Sequence, residues 1–280
     1  MPMRLGRSGS TRRGGYGQQL FVPSGREMQR LVALEAVADP ATIDILDHIG
    51  VQLNAQCLEV GGGAGSIARY LADRVPMGGV IATDIETSRL EKASRRPNLR
   101  VLRHDVVTDY FPDASFDLIH ARFVLAHLPD RQSTLARMVG WLKPGGVLII
   151  EGFHWLDVAG LDPSYTTAMA AYNALSSIAI GTDSSWSERV PEILADLGLG
   201  RIGTRTHDRT GTVRGGNTTA TLWRLTLAEA REQSVAAGLA TEEQFGQALR
   251  ALDDPSFAGT APVVYSTWGF RGSYAQGSRQ

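Results

Sequence analysis

The sequence predicts an α/β protein with a doubly wound sheet of seven strands, a helical segment before the sheet and a helical insertion after the fifth strand. Three observations carry that expectation. Between residues 55 and 152, short apolar runs alternate with segments of helical periodicity, the pattern of parallel strands joined by crossover helices. After Glu151 the alternation breaks and helix-like segments dominate. Two later runs, 201–208 and 261–270, supply the remaining strands.

The elements follow in order. Ser24 and Glu27 have the spacing of a capping box, and Met28, Leu31, Val32 and Leu34 continue at near-helical spacing. Asp39-Pro40 reads as a second helix start, with Asp as N-cap and Pro at the first helical position. Ile43, Leu46 and Ile49 follow it, and Gly50 ends it. CLEV (57–60) is a buried strand, and 66–75 a helix carrying Ile67, Tyr70 and Leu71. VIATD (80–84) is the second strand, with a charged helix near 87–94. LRVLRH (99–104) and FDLIH (116–120) are the third and fourth strands. Arg131–Leu142 is a helix, and VLIIE (147–151) is the fifth strand after a Lys-Pro-Gly-Gly turn. Helices are then expected over 163–180, 187–198, 217–237 and 241–252. The expected division is a flexible tail (1–23), a helical lid (24–54) and a core (55–280) with a substrate-cap insertion at about 155–198.

Length and charge bound the function. A chain of 280 residues can bury a sizeable core without disulfides or metal. With 28 basic and 29 acidic residues, it lacks the basic excess of a protein that grips nucleic-acid phosphates. The single cysteine, Cys57, allows no disulfide within the chain and no Cys-rich metal site, which fits a reducing, cytoplasmic compartment. The Arg-, Gly- and Ser-rich start has no apolar run and does not read as a secretory signal. No stretch approaches the ~18 apolar residues of a membrane span.

The strongest chemical signal is EVGGGAGS (59–66), a strand feeding a glycine-rich turn and then a helix. Gly61 and Gly63 let the backbone approach a ligand, and the helix N-terminus offers free amides. The dinucleotide fingerprint fails because Ser66 stands where its third glycine would be, and no Walker lysine follows. A carboxylate at Glu59 suits a cationic ligand better than a pyrophosphate. Asp84 ends the second strand, where an acid can accept both hydroxyls of a ribose. Asp105 follows the third, where a carboxylate can accept an adenine amino hydrogen.

Together these pieces resemble the class I S-adenosylmethionine-dependent methyltransferases, in the branch that includes ubiquinone/menaquinone-pathway enzymes and many bacterial small-molecule methyltransferases. The matching segments are CLEVGGGAGS, ATDIE, RHDVVTD, FDLIHARFVLAHLPD and LKPGGVLIIEG, in the family's order over residues 55–152. The resemblance implies a Rossmann-like sheet, S-adenosyl-L-methionine as cofactor and S-adenosyl-L-homocysteine as product. It implies that Glu59, Gly61, Gly63 and Ser66 shape the methionine-side pocket. Asp84 would bind the ribose with Ile85 against the adenine, and Asp105 and Val106 would hold the adenine edge. Ala121 and Arg122 would lie near the sulfonium and amino acid. Tyr16 and Arg30 would close over the cofactor, Arg30 pairing its carboxylate.

Methyl transfer needs a base only when the acceptor must lose a proton. His154, just past the fifth strand, is the first candidate, and His127, in the HLPD turn, the second. His120 reads as a core histidine and His48 as solvent-facing. Phe21, Trp155, Tyr172 and Trp186 are candidates for the substrate wall. No metal site is expected, and Cys57 reads as a small buried hydrophobe rather than a catalytic thiol. The absence of an Asn/Asp-Pro-Pro-aromatic motif after strand four counts against methylation of nucleic-acid amino groups. The expected activity is methyl transfer to a small aromatic, indolic or polyketide-like metabolite of secondary metabolism, at an oxygen, nitrogen or carbon atom. Two alternatives stay open: a cofactor-binding scaffold or non-methylating catalyst such as a pericyclase, and an RNA or protein methyltransferase. The expected partner is a small-molecule acceptor, without nucleic acid or membrane; a homodimer stays open.

Overall fold

A computed structural model describes residues 25–93, 95–155, 158–160 and 162–272. Ser24, Tyr16 and Phe21 lie outside the described residues. The chain opens with α1 (Gly25–Ile49), followed by β1 (Gln56–Val60), α2 (Ser66–Arg74), β2 (Gly79–Asp84), α3 (Ser88–Ala93) and β3 (Leu99–Arg103). β4 (Phe116–Arg122), a 3-10 turn (Leu125–His127), α4 (Arg131–Trp141) and β5 (Leu142–His154) complete the alternating region. Then come α5 (Pro163–Ile180), α6 (Trp186–Asp196), β6 (Leu199–His207), β7 (Thr212–Arg214), α7 (Thr218–Ala236), α8 (Glu242–Asp253), β8 (Ala258–Thr260) and β9 (Val263–Arg271).

Seven strands form one sheet in the order β3-β2-β1-β4-β5-β9-β6. β1 to β5 pair in parallel, and β9 runs antiparallel between β5 and β6. The order reverses direction at β1, so the carboxyl ends of β1, β2 and β4 flank the crevice where doubly wound sheets bind ligands. β7 and β8 form a separate two-stranded ribbon.

Strand alternation sorts the core into two layers. Cys57, Leu118 and Ile149 face α1 and α2, packing with Ile45, Leu46, Ile67 and Leu71. Leu58, Ile119 and Leu148 face α4 and α6, packing with Leu135, Met138, Trp186 and Val190. A third cluster joins α5, α7 and α8 around Tyr165, Trp223 and Phe245. Within the stretch 155–198, α5 therefore joins the later helices α7 and α8, whereas α6 lies on the sheet. α1 spans both regions, with Ala33 and Val37 against Leu222 of α7 and Ala38 and Ala41 against Val264 of β9.

The start of the chain differs from expectation. Asp39-Pro40 does not begin a second helix; α1 runs unbroken through Pro40. Pro40 has no N–H to give the preceding turn, a cost of about 3 kcal/mol in an isolated helix. The helix continues because its neighbours anchor it: Ala38, Ala41, Ile45 and Leu46 are buried. Asp39 is an ion-pair partner of Arg122 rather than an N-cap. Among the described residues, no helix is long and apolar enough to cross a membrane.

Leu118 is buried on the β4 face beneath α1 and α2. Leu118→Ala should lower the unfolding free energy by about 2–5 kcal/mol, read as a lower denaturant midpoint. An unchanged midpoint would contradict this packing.

Candidate active site

The glycine turn takes the shape that its composition allows. Gly61, Gly63 and Gly65 all have positive φ, at 71°, 55° and 89°. A Cβ on Gly61 would fall 2.3 Å from Val124 Cγ2, so this position admits no side chain. At Gly63 only Leu31, at 4.0 Å, would be met. The Gly63 amide donates to Asp84 Oδ2 at 3.1 Å, and the Glu86 amide donates to Oδ1 at 3.1 Å. Burial pushes the Asp84 carboxyl up, and the amides of Glu86, Gly63 and Ile85 oppose this. Asp84 Oδ2 thus holds the glycine turn and Oδ1 the loop after β2, and each keeps a lone pair for a further donor. Ile85, half-buried, follows directly.

The loop after β3 is also pre-shaped. Asp105 Oδ1 accepts from the Val107 amide at 2.9 Å, and Val106 is buried in the α4-side core. Arg137 of α4, not singled out in the sequence, donates through Nη2 to the carbonyls of Val106 and Val107, each at 2.8 Å. His104 stacks on Phe111 at 4.5 Å, and neither ring nitrogen has a hydrogen-bond partner among the described residues. Burial lowers its pKa, against the nearby Asp109 and Asp105.

Behind the turn lies a buried polar network. His120 Nδ1 is 2.6 Å from Glu59 Oε2, and its Nε2 is 3.0 Å from Glu151 Oε2. Glu59 and His120 are register partners on β1 and β4, and Glu151 lies on β5. Thr42 and Ser266 donate their hydroxyls to Glu151. Arg122 donates to Thr42 Oγ1 and Asp39 Oδ1, each at 2.8 Å. Ser66, the first residue of α2, donates its hydroxyl to Asp39 and its amide to Glu35. Burial alone would lower the His120 pKa; the two carboxylates reverse this and hold it at about 9. Burial works against Glu151 as a carboxylate, but His120, Arg122 and Ser266 bring its pKa down to about 2. The expected core histidine is therefore a buried imidazolium. Arg122, expected near the sulfonium, is engaged with α1. Ala121 is buried in the α4-side core.

The remaining candidates occupy three places. Arg30 forms a buried two-pronged ion pair with Glu27. His127 Nδ1 lies 2.9 Å from Thr182 Oγ1. Burial and the nearby Arg30 and Arg131 push its pKa down to about 3. His154 Nε2 lies 3.0 Å from Glu188 of α6, and its Nδ1 is buried with no hydrogen-bond partner among the described residues. Trp186 packs into the α4/α6 layer, with Arg131 and Arg189 over its ring. Trp155 and Tyr172 lie 6.1 Å apart, and both approach Trp223, at 5.7 and 5.9 Å. The aromatic run continues through Phe153, 5.5 Å from Trp223, to Phe123, stacked on Phe153 at 4.3 Å. Phe123 follows β4 with φ +57°, a conformation that costs a bulky residue on the order of 1–3 kcal/mol and tends to mark functional sites. Cys57 is fully buried, its thiol pushed up to about 12 by burial and by the Asp117 and Glu59 charges.

The network makes stability depend on pH. The folded pKa of His120 lies above its ordinary 6.5, so its stabilisation is complete below about pH 6.5 and lost as pH rises through about 9. The shift corresponds to about 3 kcal/mol. Glu151 acts in the opposite direction, its contribution present above its ordinary 4.5 and lost as pH falls through about 2. Denaturation of the wild type and His120→Asn across pH 6–10 should show a gap that narrows as pH rises. A constant gap would contradict the imidazolium.

Residues 58–150 match the family described as a methyltransferase domain. Methyltransferase str2 of Strobilurus tenacellus is 38% identical over 107 residues, covering 38% of each chain. A trans-aconitate 2-methyltransferase of Methylobacterium radiotolerans is 34% identical over 109 residues, 39% of this chain and 42% of that one. The chain thus spans less than half the length of either relative. A solved structure of phosphoethanolamine N-methyltransferase 2 from Haemonchus contortus, in complex with S-adenosyl-L-methionine, superposes with a TM-score of 0.59. It covers 92% of this chain and 59% of that one at 14% identity, a likeness of fold. The matched segment, residues 58–150, holds β1 to the middle of β5 with the glycine turn, and this part of the chain is similar to a methyltransferase domain.

Proposed function

We propose that this protein binds S-adenosyl-L-methionine at the carboxyl edge of β1, β2 and β3 and transfers its methyl group to a small organic acceptor. The observation that carries the reading is the placing of Glu59, Asp84 and Asp105 at or just past the carboxyl ends of the adjacent strands β1, β2 and β3, beside a glycine turn that admits no side chain at Gly61. These residues fit that cofactor. Its ammonium and sulfonium are cations, and Glu59 offers a buried carboxylate beside the turn. Asp84 keeps acceptor capacity for ribose hydroxyls, and Asp105 stands beside Val106 for the adenine edge. When bound, the cofactor supplies an electrophilic methyl group on a positively charged sulfur.

The chain's own contribution is to bind, orient and exclude water. Arg137 fixes the adenine-side loop, and α1 covers the turn through Leu31 and Glu35. The aromatic run from Phe123 to Trp155 supplies an apolar wall for a flat acceptor, which supports an aromatic, indolic or polyketide-like substrate. The trans-aconitate and phosphoethanolamine enzymes named above point to small molecules as acceptors in general. Of the two imidazoles, His127 is too weak a base at its lowered pKa. His154 is the other candidate; its Nε2 would have to leave Glu188 to accept a proton where the acceptor must lose one.

Incubation with S-adenosyl-L-methionine and a panel of phenols, indoles and polyketides should give S-adenosyl-L-homocysteine and a product one methyl heavier. Cofactor binding without methyl gain on any acceptor would favour the scaffold or non-methylating reading. Asp84→Ala should weaken cofactor binding by about 1.5–3 kcal/mol, because it removes charge-assisted ribose bonds and a support of the turn. Equal calorimetric affinity of variant and wild type would sink the assignment.

A further inference from the structure

The ion-paired set behind the glycine turn contains three acids, Glu59, Glu151 and Asp39, and two cations, His120 and Arg122. Three against two leaves one negative charge uncompensated. Glu151 Oε2 takes His120 and Thr42, and its Oε1 takes Ser266. Glu59 Oε2 takes His120. Asp39 Oδ1 takes Arg122 and Ser66. Among the described residues, Glu59 Oε1 and Asp39 Oδ2 take no hydrogen bond. Of these two unused acceptors, Glu59 Oε1 is the one on the strand that feeds the glycine turn.

Resting on the reading that this edge binds S-adenosyl-L-methionine, we propose that His120 is a positioning residue for the amino-acid end of that cofactor. Clamped between Glu59 and Glu151, the imidazolium holds Glu59 Oε2 and turns its free oxygen toward the ligand's ammonium. Without His120 the Glu59 carboxylate would lose the hydrogen bond that fixes its orientation. Glu151 is the counterweight that keeps the imidazole protonated. The charged groups facing His120 are Glu59 from β1, Glu151 from β5 and Arg122 from its own strand. Beyond these lie Asp39 from α1 and His207 from β6, which reaches the network through Ser266. Through Thr42 and Arg122 the same clamp holds α1, whose Asp39 and Glu35 bind Ser66 at the far side of the turn.

Two measurements test this on the full chain. In histidine-labelled wild type, NMR should show the His120 ring as an imidazolium at about pH 7.5, titrating only above about pH 8. By calorimetry, His120→Asn should lose at least about tenfold in affinity for S-adenosyl-L-homocysteine, which carries the ammonium. It should bind 5′-methylthioadenosine, which lacks the amino-acid end, within about twofold of wild type. A purely structural role would weaken both ligands equally, and that result would overturn the proposal. A neutral His120 ring at pH 7.5 in the wild type would overturn it even if the variant does not fold. Wild type that binds neither ligand would sink the reading of the edge itself; wild type that binds both, with either adverse result, sinks only the role of His120.

Discussion

Three adjacent parallel strands, β1, β4 and β5, each place a polar side chain at one level of an otherwise apolar sheet: Glu59, His120 and Glu151. Taking any one of these out of water as an isolated charge would cost several kcal/mol. In line, acid–imidazolium–acid, each satisfies the next. The remaining lone pairs of Glu151 are closed by Thr42 from α1 and Ser266 from β9. The constraint is severe, because loss of His120 leaves two buried carboxylates facing each other without a cation between them. It binds the centre of the sheet, the first helix and the last strand into one arrangement.

Much of the site follows from that arrangement. Thr42 and Asp39 are held where Arg122 reaches them, which keeps α1 helical through Pro40 and lays its first half across the glycine turn. Helix α1 then meets α7 through Ala33, Val37 and Leu222, so the same element touches both the cofactor edge and the helical cluster. Phe123 turns out of β4 into a left-handed conformation, and its amide donates to the Glu151 carbonyl at 2.9 Å. That turn carries its ring onto Phe153 and starts the aromatic run toward Trp223 and Trp155. The charged network and the apolar wall are thus built from neighbouring residues of the same two strands.

The sheet was legible in the sequence because its strands are short, apolar and punctuated by glycine and acidic residues at their ends. Gly61, Asp84 and Asp105 stood out because their chemistry depends on spacing along the chain. Pro40 misled because Asp-Pro is a local helix-start signal, while the forces that override it come from Arg122 and Glu151, some 80 and 110 residues away. His120 was legible as buried but not as charged, since its partners are 61 and 31 residues distant. A signal did exist: CLEV, DLIHA and LIIEG each carry one ionisable residue inside an apolar run, and such residues in neighbouring strands need one another. Arg137 and Trp223 carried no local signal, because a guanidinium on a helix and a tryptophan in an amphipathic segment have many uses.

The account places the cofactor at one edge, between the glycine turn, the β2 and β3 carboxyl ends and the first half of α1. Hydrogen exchange of the full chain, with and without S-adenosyl-L-homocysteine, tests this most directly. Binding at this edge should slow exchange in 59–66, 84–86, 104–109 and the first half of α1, with β6 and α8 unchanged. Protection confined to another surface, such as the groove between Val32 of α1 and Leu225 of α7, would contradict it.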